Sequence, residues 1–197
     1  NTAIGYKALT VNTAGENTAV GYFSMVWNTT GTANVAVGRN ALGANTTASN
    51  NTAIGYDALD ANTTGASNTA LGMQALSENT TSSNNTAVGY KALYANTAAD
   101  NTAVGYDALV ANTTGTRNTA LGDSSLQANT TGADCTGIGR EALKANTTGL
   151  RNTAVGKNAL NANTTAGSNT AVGYETLLAN TTGANNTAVG AYALDAN

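Results

Sequence analysis

Asn51-Thr52-Ala53-Ile54-Gly55-Tyr56-Asp57-Ala58-Leu59-Asp60-Ala61-Asn62-Thr63-Thr64-Gly65-Ala66-Ser67 is one copy of a unit that recurs in phase along the whole chain. Copies begin at Asn1, Asn17, Asn34, Asn51, Asn68, Asn85, Asn101, Asn118, Cys135, Asn152, Asn169 and Asn186. Nine of them have 17 residues, the first and sixth have 16, and the last stops after 12. The consensus is N-T-A-V-G-Y-x-A-L-x-A-N-T-T-G-x-x, with places numbered one to seventeen. Self-similarity at a fixed period is the signature of a repeat architecture. No linker, charge run or break in composition interrupts it, so a single repeat domain over residues 1–197 is expected, as a piece of a longer fibre.

Several places are nearly or fully invariant. Position five is Gly from Gly5 to Gly190, and position twelve is Asn from Asn12 to Asn197. Position four is always Val, Ile or Leu, position nine always Leu or Met, and Ala dominates positions three, eight and eleven. Helical repeats need more than about 30 residues and leucine-rich repeats about 20. A short unit with a fixed Gly and an N-T-T-G tail leaves too few residues for a helix that must first overcome nucleation. Short strands separated by Gly and Asn turns fit better.

The expectation is therefore an all-β fold, a parallel β-solenoid (β-roll) of twelve coils of 16–17 residues, in which equivalent places stack about 4.8 Å apart. Gly at position five supplies a corner with positive φ or close approach. Asn at positions one and twelve tolerates left-handed backbone and can bond along the axis. Positions four and nine form two apolar columns, a thin core. So lean a core calls for additional burial. The small Ala columns offer a face on which another chain can approach closely, and self-association, as a homotrimer, is expected there.

Composition narrows the partners. The chain has 22 Gly, no Pro, 10% charged and 5% aromatic residues, no His and one Cys. A net charge of −3 offers no basic face for nucleic acid. No apolar run approaches the roughly 18 residues that span a bilayer, so no membrane insertion is expected in this segment. One Cys excludes an internal disulfide framework.

The segment N-T-A-I-G-Y-K-A-L (Asn1 to Leu9), repeated with variation at Asn51 to Leu59 and Asn85 to Leu93, resembles the YadA-like head repeats of trimeric autotransporter adhesins. The unit with its N-T-T-G tail is also similar to the related NTAxGxxAL repeats of phage and bacterial tail-fibre-type proteins. The likeness spans the chain and implies a trimeric parallel β-roll, left-handed in the adhesin heads. It departs from the adhesin pattern in its longer period and in Thr rather than an apolar residue at position two.

Chemistry is sparse. Without His, and with scattered carboxylates, no acid/base pair or triad presents itself, and no enzymatic activity, cofactor or metal site is expected. Gly137-Ile138-Gly139 is not a phosphate loop, because it precedes no helix and reads as an Ala-to-Gly change in a degenerate repeat. The candidates for surface contact are aromatic. Tyr22, Tyr56, Tyr90, Tyr106 and Tyr174 lie in the position-six stripe, which Tyr6 begins. Arg39, Met73, Asp123, Arg140, Lys157 and Ala191 interrupt it, which favours packing beside a turn over a ligand face. Tyr22, Phe23 and Trp27 in the second repeat hold the only Phe and the only Trp, as a junction with a neighbouring domain or as a receptor contact. Arg117, Arg140, Lys144, Arg151 and Lys157 accompany Asp123, Asp134 and Glu141 in a mixed-charge surface. Cys135 replaces Asn at position one.

The expected function is a structural shaft or head segment of an extracellular fibre, on a virion tail or a bacterial surface, that spaces or presents a receptor-binding tip. A cell-surface receptor or glycan is then a possible partner. The alternative is an ice-binding or glycan-binding solenoid using Thr or Tyr columns. Against the ice-binding use stand the adjacent pairs Thr29-Thr30, Thr46-Thr47 and Thr63-Thr64, whose side chains face opposite ways on a strand. Asn28, Asn45 and Asn62 also open glycosylation sequons.

Overall fold

A computed structural model describes residues 1–195. The described residues form two compact units, one from Asn1 to Ala99 and one from Asp100 onward. The first contains six three-residue strands: β1 (Thr2–Ile4), β2 (Thr18–Val20), β3 (Val35–Val37), β4 (Thr52–Ile54), β5 (Thr69–Leu71) and β6 (Thr86–Val88). The second contains β7 (Thr102–Val104), β8 (Thr119–Leu121), β9 (Thr136–Ile138), β10 (Thr153–Val155), β11 (Thr170–Val172) and β12 (Thr187–Val189). Within each unit consecutive strands pair in parallel with identical places in register, as in Thr52↔Thr69, Ala53↔Ala70 and Ile54↔Leu71. The fold is all-β, a parallel β-solenoid with one strand per coil and no helix among the described residues.

In-register stacking continues around the turns. The amide of Leu59 donates to Ala75 O at 3.0 Å, Ala61 to Ser77 O at 3.0 Å and Thr63 to Thr80 O at 2.8 Å, each one coil on. Thus backbone polar groups outside the strands are also satisfied, as buried peptide groups require. Gly at position five turns the corner. Gly55 has φ 138°, and a Cβ there would collide with the carbonyl oxygen of Gly72 in the next coil. Conformation and close approach both exclude any other residue.

The core differs from the expected one. Position nine lies inside, with Leu42, Leu59, Leu76 and Leu93 fully buried. Position four does not: Leu71 is 44% and Leu121 45% exposed, because in T-A-V the middle residue faces the axis and its two neighbours face out. The inward residue is Ala at position three, fully buried at Ala53, Ala70 and Ala87, and Ala at position eight joins it. The Ala columns at three and eight therefore line the interior and cannot be the face on which another chain docks. Only position eleven keeps its Ala partly exposed, as at Ala44, Ala61 and Ala95.

Asparagine fills the rest of the interior. At position twelve, Nδ2 of Asn45 donates to Asn28 Oδ1 at 2.7 Å, Asn62 to Asn45 at 3.0 Å and Asn79 to Asn62 at 3.1 Å. The second unit repeats this from Asn129 through Asn146 and Asn163 to Asn180. At position one the ladder is mixed: the amide N–H of Asn51 donates to Asn34 Oδ1 at 2.9 Å, and Asn51 Nδ2 donates to Gly65 O in its own coil at 2.9 Å. These amides are buried and, except for Asn79 Oδ1, which has no hydrogen-bond partner where the short sixth coil follows, bonded on both sides, which compensates their desolvation.

Neither asparagine adopts left-handed backbone, contrary to expectation. The positive φ values fall at position seven, at position nine and at the last place, as in Asp57 (52°), Leu59 (53°) and Ser67 (59°). Each such non-Gly residue costs roughly 1–2 kcal/mol, so the stacked ladders must hold the coil closed against local preference. The short coils show the same constraint. With one residue fewer in the tail, Asn12 and Asn96 donate to Ala14 O and Ala98 O, two residues on rather than three.

Candidate functional site

Three features of the outer surface carry function-bearing chemistry. The first is the strand face. Thr stands at position two of eleven coils, and the outward partner at position four is Val, Ile or Leu. On β4 and β5 this places Thr52 beside Ile54 and Thr69 beside Leu71, two residues apart and repeated coil by coil. An aliphatic file with methyl-bearing Thr beside it is an apolar stripe on an otherwise polar protein. The threonine pairs at thirteen and fourteen are different. Thr29, Thr46 and Thr63 donate their hydroxyls to the carbonyls of Thr46, Thr63 and Thr80, at 2.9 to 3.1 Å, so they finish the ladder.

The second is the position-six column. Tyr22, Tyr56, Tyr106 and Tyr174 are exposed, and Tyr90 is half-buried. In the first unit Tyr6 stacks on Tyr22 with ring centres 5.4 Å apart. Arg39, which looks in sequence like a break in the stripe, lies 5.7 Å from the Tyr22 ring centre and 5.5 Å from that of Tyr56. Lys91 likewise covers Tyr90 and Tyr94 at 5.4 Å. In the second unit Lys157 covers Tyr174 at 5.5 Å, and Tyr174 meets Tyr192 edge-on at 5.3 Å. The Tyr174 hydroxyl is pushed up to about 12, chiefly by its hydrogen bond to Glu175. Several rings of the column are thus already met by a neighbouring ring or by a cation of the chain.

The third feature was only half visible in the sequence. Trp27, 59% exposed, lines with Phe23 and Val26 a depression of about 270 Å³ that Asn40, Gly43, Ala44, Asp60 and Ala61 of the next two coils complete. Trp27 and Phe23 were recognisable as unusual residues; Gly43 and Asp60 join them only because the coils stack. Burial, and secondarily the charge of Asp57, push the Asp60 carboxyl above the usual carboxylate range.

The late charged residues pair in the second unit: Arg117 with Asp134 at 2.6 Å and Arg140 with Asp123 at 3.8 Å, both exposed, and Lys144 with the half-buried Glu141 at 3.1 Å. Exposed pairs stabilise little. Cys135 is buried, its Sγ 3.2 Å from Gly149 O, where an Asn would place Nδ2. Burial raises the thiol's pKa, so little reactive thiolate forms. Asn28, Asn45 and Asn62 of the sequons are fully buried in the folded coils. A Cβ at Gly137 would crowd Ser125 Oγ, which donates to Gly137 O at 2.8 Å, so this glycine fits an interior contact.

Among the described residues no three His, Cys, Asp or Glu side chains gather as a metal-ligand group, and no helix is long and apolar enough to cross a membrane. Comparison with family models, with curated proteins and with solved structures returned no match to this chain.

Proposed function

We propose that this chain is a structural segment of an extracellular fibre, a shaft or head that spaces or presents a receptor-binding tip on a virion tail or a bacterial surface. Copies associate as a homotrimer through the outward strand face. The observation that carries this reading is the exposed aliphatic file at position four, with Leu71 and Leu121 nearly half exposed beside their Thr neighbours. An interior made of Ala, Asn and one Leu per coil buries little apolar surface, and covering the outer file with other copies adds what the single chain lacks. The likeness of Asn1 to Leu9 to the head repeats of trimeric adhesins supports three copies and a place outside the cell.

The mechanism is mechanical. Backbone and Asn ladders within each unit resist shear along the axis, and the number of coils sets length. Light scattering on the purified chain tests it. A mass of three times 19.5 kDa is expected, falling to one chain in Ile54→Asp/Leu71→Asp while circular dichroism stays unchanged. A wild-type chain that scatters as a monomer contradicts the proposal.

A second reading rests on the same face. Thr at position two and the branched residue at position four project together, giving a grid of roughly 4.8 by 6.6 Å. This outward pairing is the alternate-residue arrangement that an ice-binding face needs, and the Thr-Thr pairs lack it. Thermal hysteresis of the purified protein is the expected sign, and a value of zero removes this reading.

A further inference from the structure

Within residues 1–99 every aromatic ring except one already meets a second ring or a cation of the chain. Tyr6, Tyr22 and Phe23 cluster at 4.5 to 5.7 Å, Lys7 and Arg39 sit over their faces, Arg39 also covers Tyr56, and Lys91 covers Tyr90 and Tyr94. Trp27, the ring type that attracts cations best, has no such neighbour among the described residues. The carboxylate beside the depression is in the same condition. Asp57 accepts from Asn40 Nδ2 at 3.0 Å, whereas the Asp60 carboxylate has no hydrogen bond or ion pair among the described residues.

The space between them is built by the stacking of columns. Position ten reads Val26, Gly43, Asp60 in successive coils, and position eleven reads Trp27, Ala44, Ala61. Gly43 is the only glycine that occupies position ten, and its missing side chain makes room for the Asp60 carboxylate beside the depression. A Cβ at Gly43 would meet Asp60 Oδ1 and would therefore intrude on this space. We propose that the depression between Trp27 and Asp60 binds a small organic cation, an alkylammonium or quaternary ammonium group. The Trp27 ring receives the positive face and Asp60 supplies the counter-charge.

The charge balance favours this occupant over a neutral one. Burial and Asp57 both disfavour the ionised Asp60 carboxylate, and a bound cation relieves that penalty, which a neutral sugar or alcohol does not. The chain's own Lys and Arg side chains already satisfy the neighbouring rings in the same way, so the local chemistry is one the surface uses repeatedly. At about 270 Å³ the space takes a single headgroup.

The test uses the whole chain, whose single Trp reports directly on the site. Fluorescence is titrated with choline chloride and with dimethylbutanol, its uncharged isostere, at constant ionic strength. Choline is expected to change Trp27 emission saturably in the millimolar range, with the uncharged isostere at least about tenfold weaker. Asp60→Asn, which keeps the shape, is expected to weaken choline about tenfold. Gly43→Val places at the depression a side chain that position ten already holds at Val26 and Val110, and is expected to abolish the response. Unchanged circular dichroism certifies the fold of both variants. No saturable response below ~100 mM choline, equal binding of the isostere, or full affinity in folded Asp60→Asn overturns the proposal.

Discussion

Leu59 and Leu71 are the same residue in neighbouring coils, yet Leu59 is fully buried and Leu71 is 44% exposed. Leu71 ends a three-residue strand whose middle residue, Ala70, faces the axis, so pleat alternation turns Leu71 outward. Leu59 sits in a turn at φ 53°, a conformation that swings its side chain beneath the strand. Hydrophobicity alone therefore does not decide burial in so narrow a coil. What decides is which backbone parity faces the axis and how much side chain fits there. Between facing walls only small residues fit, mostly Ala, with Ser24, Ser125 and Thr176 at position eight, and one Leu or Met per coil fills the remaining space.

Truncating the two columns should break this symmetry of composition most visibly. Leu59→Ala is expected to lose about 2–5 kcal/mol in denaturant unfolding, as large-to-small changes in cores do. Ile54→Ala should stay within about 1 kcal/mol when both proteins are compared at concentrations where they are dissociated. Equal losses at both places would mean that position four is as much core as position nine.

A smaller effect, of opposite sign, sharpens the account of the asparagine interior. Cys135 interrupts the position-one ladder, in which the amide N–H of the next coil donates to Asn Oδ1, as Asn169 does to Asn152 at 3.0 Å. Cys135→Asn should restore that bond to the Asn152 amide and add about 1 kcal/mol. A loss of stability would show that the column is not interchangeable along its length.

The smallest expected effect lies on the surface of the second unit. Arg117 holds the Asp134 carboxyl below the usual range, chiefly through their hydrogen bond, with burial opposing and Arg151 assisting. A depressed folded-state pKa means that this contribution is fully present above about pH 5 and fades as pH falls through the carboxylate range. Wild type should therefore hold its fold to slightly lower pH than Arg117→Gln at low salt. The difference should vanish in ~1 M salt, where exposed charges are screened.

The repeat phase, the corner glycine and the buried Leu column were legible because each is a residue type that recurs at one place for one reason. Position four was misread as core, since a branched aliphatic residue on a strand looks buried until the strand's parity is known. The near-invariant Ala at position three was the available signal, because only an interior lacking room keeps so small a residue in every coil. The left-handed backbone at Asp57 and Leu59 was not legible, because closure of the coil imposes it against the preferences of those residues. The Trp27 depression was half legible. Trp27 stands out in any composition, but Gly43 and Asp60 join it only when the sequence is read down a column at intervals of 17 residues.

The parity of the strand is tested most directly by exchanging its two residues within one coil, Ala53→Ile with Ile54→Ala, which leaves composition unchanged. If Ala53 faces the axis and Ile54 faces out, the exchanged protein is overpacked inside. Denaturant unfolding should then show a loss of at least ~3 kcal/mol or no cooperative transition at all. Stability within ~0.5 kcal/mol of wild type would contradict the assignment of inside and outside on which this account of the fold and its outer face depends.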